Sequence, residues 1–302
     1  MEKIAIVGAG MMGQGIAEVF AAKGFPVSLY ARRQEALDQV HAKARANLKV
    51  FGLDENAAEN ISLHNKLEEG VRGADLVIEN AAEDLEVKQN LFAEMEKYTS
   101  KECILASNTS VKPITGIAAK CTQKFRVLGT HWWNPPYLIP LVEVVQTEFA
   151  DINLVHRCID ILKRAGKVAV HCKRDVAGFI ANRMQHALWR EAVSIVEHGI
   201  ADAETVDLCV KNSFGFRLPV LAPLENADLV GTDLTLAIHK GVLAHIEASP
   251  NPSPYLVDLV NKGELGMKTG KGFYSKWTSE SAQAVKDRLS KYLLNANKNR
   301  TA

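Results

Sequence analysis

Residues 3–33 read KIAIVGAGMMGQGIAEVFAAKGFPVSLYARR, and the order of residue types in this stretch decides the fold. Lys3–Gly8 is a short apolar run with the look of a buried strand, and it enters Gly8-Ala9-Gly10-Met11-Met12-Gly13. Apolar residues then recur at Ile16, Ala17, Val19, Phe20 and Ala21, the spacing of a helix that ends near Gly24. A second strand follows at Val27–Tyr30. Strand, glycine triplet, helix and strand in this order form a dinucleotide-binding unit. Gly8 permits the tight turn, Gly10 lets backbone approach a pyrophosphate, and Gly13 permits close helix packing. The first N–H groups of the helix, at Met11 and Met12, have no carbonyl partner inside it and suit a phosphate.

An acidic residue is expected at the end of the second strand where the free 2'-hydroxyl of NAD is read. This chain has Ala31-Arg32-Arg33 there. The missing carboxylate removes a repulsion, and an arginine can stack on adenine or pair with a 2'-phosphate. NADP(H) is therefore expected ahead of NAD(H). The plainer alternative is that Arg32 and Arg33 open the solvated face of the next helix.

The 302 residues suffice for one large core, though two domains are the better expectation. With 47% apolar and 24% charged residues and a formal charge of +1, the composition is that of an ordinary globular protein. No basic stripe suggests nucleic acid, and no apolar run reaches the roughly 18 residues of a membrane span. The N-terminus is a strand rather than a signal peptide, so a cytoplasmic location is expected. Cys103, Cys121, Cys158, Cys172 and Cys209 are scattered and odd in number, which fits reduced thiols. The histidines form no ligand cluster, so no metal is expected.

Beyond the opening unit the pattern keeps alternating. Gln34–Val50 has helical spacing, Ala74–Glu79 reads as a strand, and Leu85–Met95 as a helix. A strand at Cys103–Ser107 delivers Asn108-Thr109-Ser110 to the edge where open α/β sheets bind ligands. Arg126–Leu128 leads to His131, Leu141–Val145 carries Glu143, and Val168–His171 is a candidate edge strand. This predicts an α/β doubly wound (Rossmann-type) nucleotide domain over residues 1–176. Glu83, Lys88 and Asn108 join Ala31, Arg32 and Arg33 as candidate cofactor contacts. Ser110 is a candidate substrate or nicotinamide contact, with capping of the following segment as the plain alternative. After Asp175 only helical spacing remains: Gly178–His198, Ala203–Lys211, Leu229–Ile246, Pro254–Asn261, and a terminal helix after Trp277. An all-helical domain over 177–302 is expected, packed on the first domain or on a second subunit.

The chemistry concentrates in residues 129–145, GTHWWNPPYLIPLVEVV. A carboxylate inside an apolar strand needs a partner, or its pKa rises. His131 is the obvious partner of Glu143, which makes a general acid/base pair the leading reading, against a satisfied structural histidine.

The stretches GAGMMGQGIAEVFAAKG, ILASNTS, GTHWWNPP with LVEVV, DVAGFIANR and GMKTGKGFY together resemble the 3-hydroxyacyl-CoA dehydrogenase superfamily over nearly the whole chain. The resemblance implies that His131 moves the proton of the 3-hydroxyl, and that Glu143 orients and supports it. It further implies that Ser110, Asn134 and Asn182 surround the substrate oxygen and nicotinamide, and that the chain forms a homodimer through its helical domain. Members that act on CoA thioesters carry paired phenylalanines after the histidine, a proline before Gly-Phe, and a PMGPxEL stretch. Here those positions read Trp132-Trp133, Ala177 and GFRLPVLAPLEN. Trp132 and Trp133 could narrow the pocket, and Arg217 could receive a small carboxylate bidentately. These departures look closer to the lambda-crystallin/L-gulonate dehydrogenase and carnitine dehydrogenase branch, and a free L-3-hydroxy acid is the expected substrate. A short-chain L-3-hydroxyacyl-CoA is the alternative, and a catalytically silent crystallin-like or nucleotide-sensing protein the second.

Overall fold

Short apolar runs, mostly of four or five residues, pair edge to edge into one eight-stranded sheet. The strands are β1 (Ile4–Val7), β2 (Val27–Tyr30), β3 (Ile61–His64), β4 (Leu76–Glu79), β5 (Ile104–Ser107), β6 (Val127–Trp132), β7 (Leu141–Val145) and β8 (Val168–Cys172). Their order is β3-β2-β1-β4-β5-β6-β7-β8. All neighbours are parallel except β6 and β7, which run antiparallel. The order turns back between β1 and β4, which opens the crevice where such sheets bind nucleotides. The computed structural model describes residues 1–301, and the side chains of residues 1–298.

Each central strand is apolar on both sides because both sides are covered. Ile4 and Ile6 enter one core, while Ala5 and Val7 enter the other. The first core is closed by α1 (Met11–Ala21), α2 (Val40–Val50) and α6 (Ile152–Arg164). The second is closed by α3 (Leu67–Val71), α4 (Leu85–Tyr98) and α5 (Ile114–Ile117). Helix α6 shows the logic plainly. Asp151 caps its start by accepting from the Asn153 N–H at 2.8 Å, and Val155, Cys158, Ile161 and Leu162 form its buried face. Each fully buried aliphatic side chain of this kind contributes roughly 1.5–3 kcal/mol.

The chain divides into two compact units, Met1–Ala181 with the residues from Tyr292 onward, and Asn182–Lys291. The second unit is helical: α7 (Ala181–Glu197) leads into it, followed by α8 (Ala203–Asn212), α9 (Phe214–Arg217), α10 (Pro223–Val230), α11 (Thr232–Val242), α12 (Pro254–Asn261) and the start of α13 (Ser279–Thr301). A Rossmann-like domain followed by an all-helical one is thus the fold.

Three local expectations change. Strand β3 was not foreseen. The predicted helix Gln34–Val50 is a 3-10 turn at Gln34–Ala36 and then α2. The predicted helix Leu229–Ile246 breaks at Gly231, whose φ of +97° stops α10 and starts α11.

Candidate active site

The glycine loop is built as its residue types require. Gly8 has φ +106°, and a Cβ there would meet the Asn80 carbonyl oxygen at 2.7 Å. A Cβ on Gly13 would lie 1.8 Å from the Gly8 carbonyl oxygen, so only glycine lets α1 start this close to β1. Gly10 is the N-cap of α1, and its missing Cβ would meet nothing within 4 Å. No side chain caps this helix start. Open space in front of uncapped N–H groups fits a pyrophosphate. Met11 is exposed and Met12 half-buried beside it. Ala31 is buried at the end of β2, where Arg32 and Arg33 are exposed with no carboxylate in the three residues.

The ends of β4 and β5 carry a buried polar network. Lys88 on α4 is 1% exposed and its ammonium lies 2.9 Å from one oxygen of Glu79 and 3.3 Å from Glu83. Lys88 can therefore act on a cofactor only through those carboxylates. Ser107 donates to Glu79 at 2.7 Å, and the Thr109 hydroxyl donates to Glu83. Burial pushes the Glu83 carboxyl up, but the Thr109 hydroxyl and the Lys88 ammonium outweigh it and hold the group below its ordinary value. Asn108 donates to the Asn80 side chain at 2.8 Å and accepts from the Trp132 N–H at 2.8 Å, so it joins the end of β4 to the strand that carries His131. Thr109, rather than Ser110, receives the Lys112 N–H at 2.9 Å and shapes the turn before α5. Ser110 is left exposed at the sheet edge.

His131 and Glu143 are direct partners across the antiparallel β6/β7 pair. Cross-strand partners face the same side of a sheet, which is why twelve residues of sequence separate two groups in contact. His131 Nδ1 is 2.7 Å from Glu143 Oε2, with the residues 4% and 0% exposed. The other carboxylate oxygen, Oε1, accepts the N–H groups of Ile180 at 2.8 Å and Ala181 at 3.0 Å. Burial raises the Glu143 pKa, but the imidazole and these two N–H groups outweigh it and hold the carboxyl below the usual range. An ionised Glu143 requires the proton on Nδ1, which leaves Nε2 free to take or give one. The ring sits between Trp133 and Phe179, with centroids 5.5 and 5.4 Å away.

Phe179 and the two backbone donors went unread in the sequence. Phe179 is buried at φ +48°, a left-handed conformation uncommon for a bulky side chain. Its turn aims the next two N–H groups at Glu143. Backbone donors carry no residue-type signal, and the neighbouring Gly178, at φ +75°, was the only hint.

The remaining candidates separate. Trp133 is half-buried beside His131, and its indole N–H has no partner among the described residues. Trp132 points the other way, into the core against Phe20 at 5.8 Å, because alternate strand residues face opposite sides. It packs the cofactor helix rather than narrowing a pocket. Asn134 follows β6 and is exposed. Asn182 on α7 and Arg217 at the end of α9 belong to the helical unit, the first half-buried and the second exposed. Among the described residues no three His, Cys, Asp or Glu side chains group to hold a metal ion, and no helix is long and apolar enough to cross a membrane.

Residues 3–176 match the family model for the 3-hydroxyacyl-CoA dehydrogenase NAD binding domain, and residues 178–276 match that of its C-terminal domain. The chain belongs to the 3-hydroxyacyl-CoA dehydrogenase family. Its relatives include the 5-formyl-3-hydroxy-2-methylpyridine 4-carboxylate 5-dehydrogenase of Mesorhizobium japonicum, 31% identical over 94% of each chain. The mitochondrial hydroxyacyl-coenzyme A dehydrogenase of Sus scrofa is 35% identical over 91% of each. A solved structure of a 5-formyl-3-hydroxy-2-methylpyridine 4-carboxylic acid 5-dehydrogenase, described as an NAD+-dependent dismutase, superposes with a TM-score of 0.90 at 30% identity, covering 99% of this chain and 98% of that one. This 3-hydroxyacyl-CoA dehydrogenase family member is an NAD(P)-dependent dehydrogenase acting on a CH–OH group.

Proposed function

We propose that the chain interconverts a short-chain L-3-hydroxyacyl-CoA and its 3-keto thioester, with His131 as the proton carrier. The observation that carries this is the buried His131–Glu143 pair, whose ionised carboxylate leaves Nε2 free. A nicotinamide dinucleotide held at the Gly8–Gly13 loop would supply the hydride acceptor or donor. In oxidation, Nε2 takes the hydroxyl proton as the carbonyl forms, and Glu143 stabilises the imidazolium. In reduction, the same nitrogen returns the proton to the new hydroxyl. By the family resemblance, Ser110, Asn134 and Asn182 are each proposed as polar contacts of the substrate oxygen or the nicotinamide. A thioester substrate is supported by the family match and by what the Sus scrofa relative's name says of that enzyme.

A free carboxylate is the second reading. It is favoured by the likeness to a dehydrogenase whose named substrate is a free pyridine carboxylate, and Arg217 is its proposed clamp. Preference for NADP(H) over NAD(H) is proposed from the exposed Arg32 and Arg33. One experiment tests all three. Turnover is followed by reduced-nicotinamide absorbance, crossing both cofactors with acetoacetyl-CoA, 3-hydroxybutyryl-CoA and short free 3-hydroxy and 3-keto acids. Turnover of free acids alone overturns the thioester reading, and equal use of both cofactors overturns the phosphate reading.

A homodimer is part of the proposal. Helices α7, α9, α10 and α11 have no buried residue, and Phe216, Val220 and Leu224 are 82%, 89% and 81% exposed. So much apolar surface on one unit suits a second copy. A monomeric mass by light scattering removes it.

A further inference from the structure

The loop between the two catalytic strands is gripped from outside the cofactor site. After Asn134 the chain runs through Pro135–Pro140 before β7 brings in Glu143. The N–H groups of Leu138 and Ile139 both turn back to the Pro135 carbonyl at 3.0 Å, and the Pro140 carbonyl accepts the Val168 N–H at 2.9 Å. The Lys167 ammonium, between α6 and β8, donates to the carbonyls of Pro136 and of Ile139, the latter at 3.1 Å. Lys167 is 8% exposed, and its ammonium also lies 5.2 Å from the ring centroid of Trp132. The amide of Asn297, near the end of α13, donates to the Leu138 carbonyl at 2.7 Å. The loop's opposite side rests on the cofactor helix, where Pro136 leaves no room for a Cβ on Gly15. Tyr137 stacks on Phe51 at 4.5 Å.

We propose that Lys167 and Asn297 are positioning residues for the reaction, and that α13, which lies beyond residue 276 where the family match ends, is part of the active-site scaffold. Two side chains distant in sequence hold three carbonyls of a six-residue loop. One end of that loop is Asn134 and the other leads to Glu143, so the grip fixes where Asn134 stands relative to His131. This rests on the proposed dehydrogenase function for its kinetic consequence, and on geometry alone for the grip. The Pro136 and Ile139 carbonyls help offset the burial cost of the Lys167 cation, so moving them away is unfavourable.

The test uses the full-length protein and the variants K167M, K167R and N297A, with N134A as the background for a double-mutant cycle. Amide hydrogen exchange at Leu138 and Ile139 reads the grip without activity. Exchange is expected to rise about tenfold or more in K167M and N297A. Displacing reacting groups by about 1 Å can cost a hundredfold in rate, so kcat is expected to fall between about tenfold and a hundredfold, with reduced-cofactor affinity within about twofold. K167R, which keeps the donor, should recover part of that loss. If the two residues act through Asn134, then K167M or N297A costs less than about twofold more in the N134A background. Unchanged exchange at both amides overturns the grip. Losses that multiply with N134A overturn the positioning role and leave only a contribution to folding. Should K167M fail to fold, N297A carries both readouts. A wild-type protein that turns over no hydroxyacyl substrate defeats the functional reading instead, while the exchange data still decide the grip.

Discussion

Glu143→Gln asks what the carboxylate does for His131, and the hydrogen-bond geometry fixes the answer in advance. Glu143 has three donors around it: His131 Nδ1 on one oxygen, and the Ile180 and Ala181 N–H groups on the other. Glutamine offers one oxygen and one NH2 group. Turning the oxygen to His131 sets the NH2 against two backbone donors that cannot adapt. Turning it to the backbone sets the NH2 against Nδ1, a conflict the imidazole relieves by moving its proton to Nε2. The second arrangement wins, and it puts a proton on the nitrogen that must accept one. A general base is typically worth a factor of about 10²–10⁴, and a histidine locked in the wrong tautomer costs about 10⁴ in a serine protease. A loss of about 10³ in kcat is expected here, roughly 4 kcal/mol of transition-state stabilisation. The assay is kcat and kcat/KM by nicotinamide absorbance across pH, with cofactor affinity measured separately by fluorescence titration. Affinity should stay within about twofold, since the change touches no nucleotide contact. E143Q turning over within about tenfold of wild type, with the same pH profile, would refute the reasoning and return His131 to a role without carboxylate support.

Glu18 on α1 is 3% exposed, its two oxygens accept the Asn47 amide at 3.0 and 3.1 Å, and burial pushes its pKa up to about 7. A raised folded pKa gives stability that is complete below about pH 4.5 and lost as pH rises through about 7, about 3 kcal/mol at about 1.4 kcal/mol per pH unit. Urea midpoints of E18Q and wild type should therefore lie close at low pH and separate at high pH; a constant gap rejects the burial effect. Gly13→Ala forces a Cβ against the Gly8 carbonyl and should weaken reduced-cofactor binding more than about tenfold, with about 1–3 kcal/mol lost in stability. Titration showing wild-type affinity would mean the α1 start carries no phosphate contact. Replacing Arg32 and Arg33 together by alanine should raise KM for NADPH about tenfold and leave NADH within about twofold, and equal effects on both would mean the arginines read no phosphate.

The central sheet was legible because β1, β2, β4 and β5 are apolar apart from Ser28, Glu79 and Ser107, the composition that burial on both faces favours. Strand β3 escaped because it is an edge strand: Ser62 is exposed, and Leu63 and His64 are only half-buried. The break before α2 is a tertiary effect. Leu37 and Val40 are 1% and 2% exposed, and helix propensity across Gln34–Gln39 gives no reason to stop. His131 and Glu143 could be paired from sequence because a buried carboxylate demands a partner. The antiparallel register that joins them could not, since it is set by backbone pairing across a loop whose residue types do not specify it. Trp132 and Trp133 looked equivalent in the sequence, and strand alternation sends them to opposite faces.

The turn at Gly178–Phe179 bears on how such enzymes can be recombined. The two family segments meet between residues 176 and 178, while the donors that hold Glu143 Oε1 come from Ile180 and Ala181. A nucleotide segment joined at that seam to a foreign helical segment would inherit His131 and Glu143, yet its carboxylate would depend on the newcomer's first four residues making the same left-handed turn. A chimera whose second segment lacks a left-handed turn at the positions of Gly178 and Phe179 is expected to lose both donors to Glu143 Oε1.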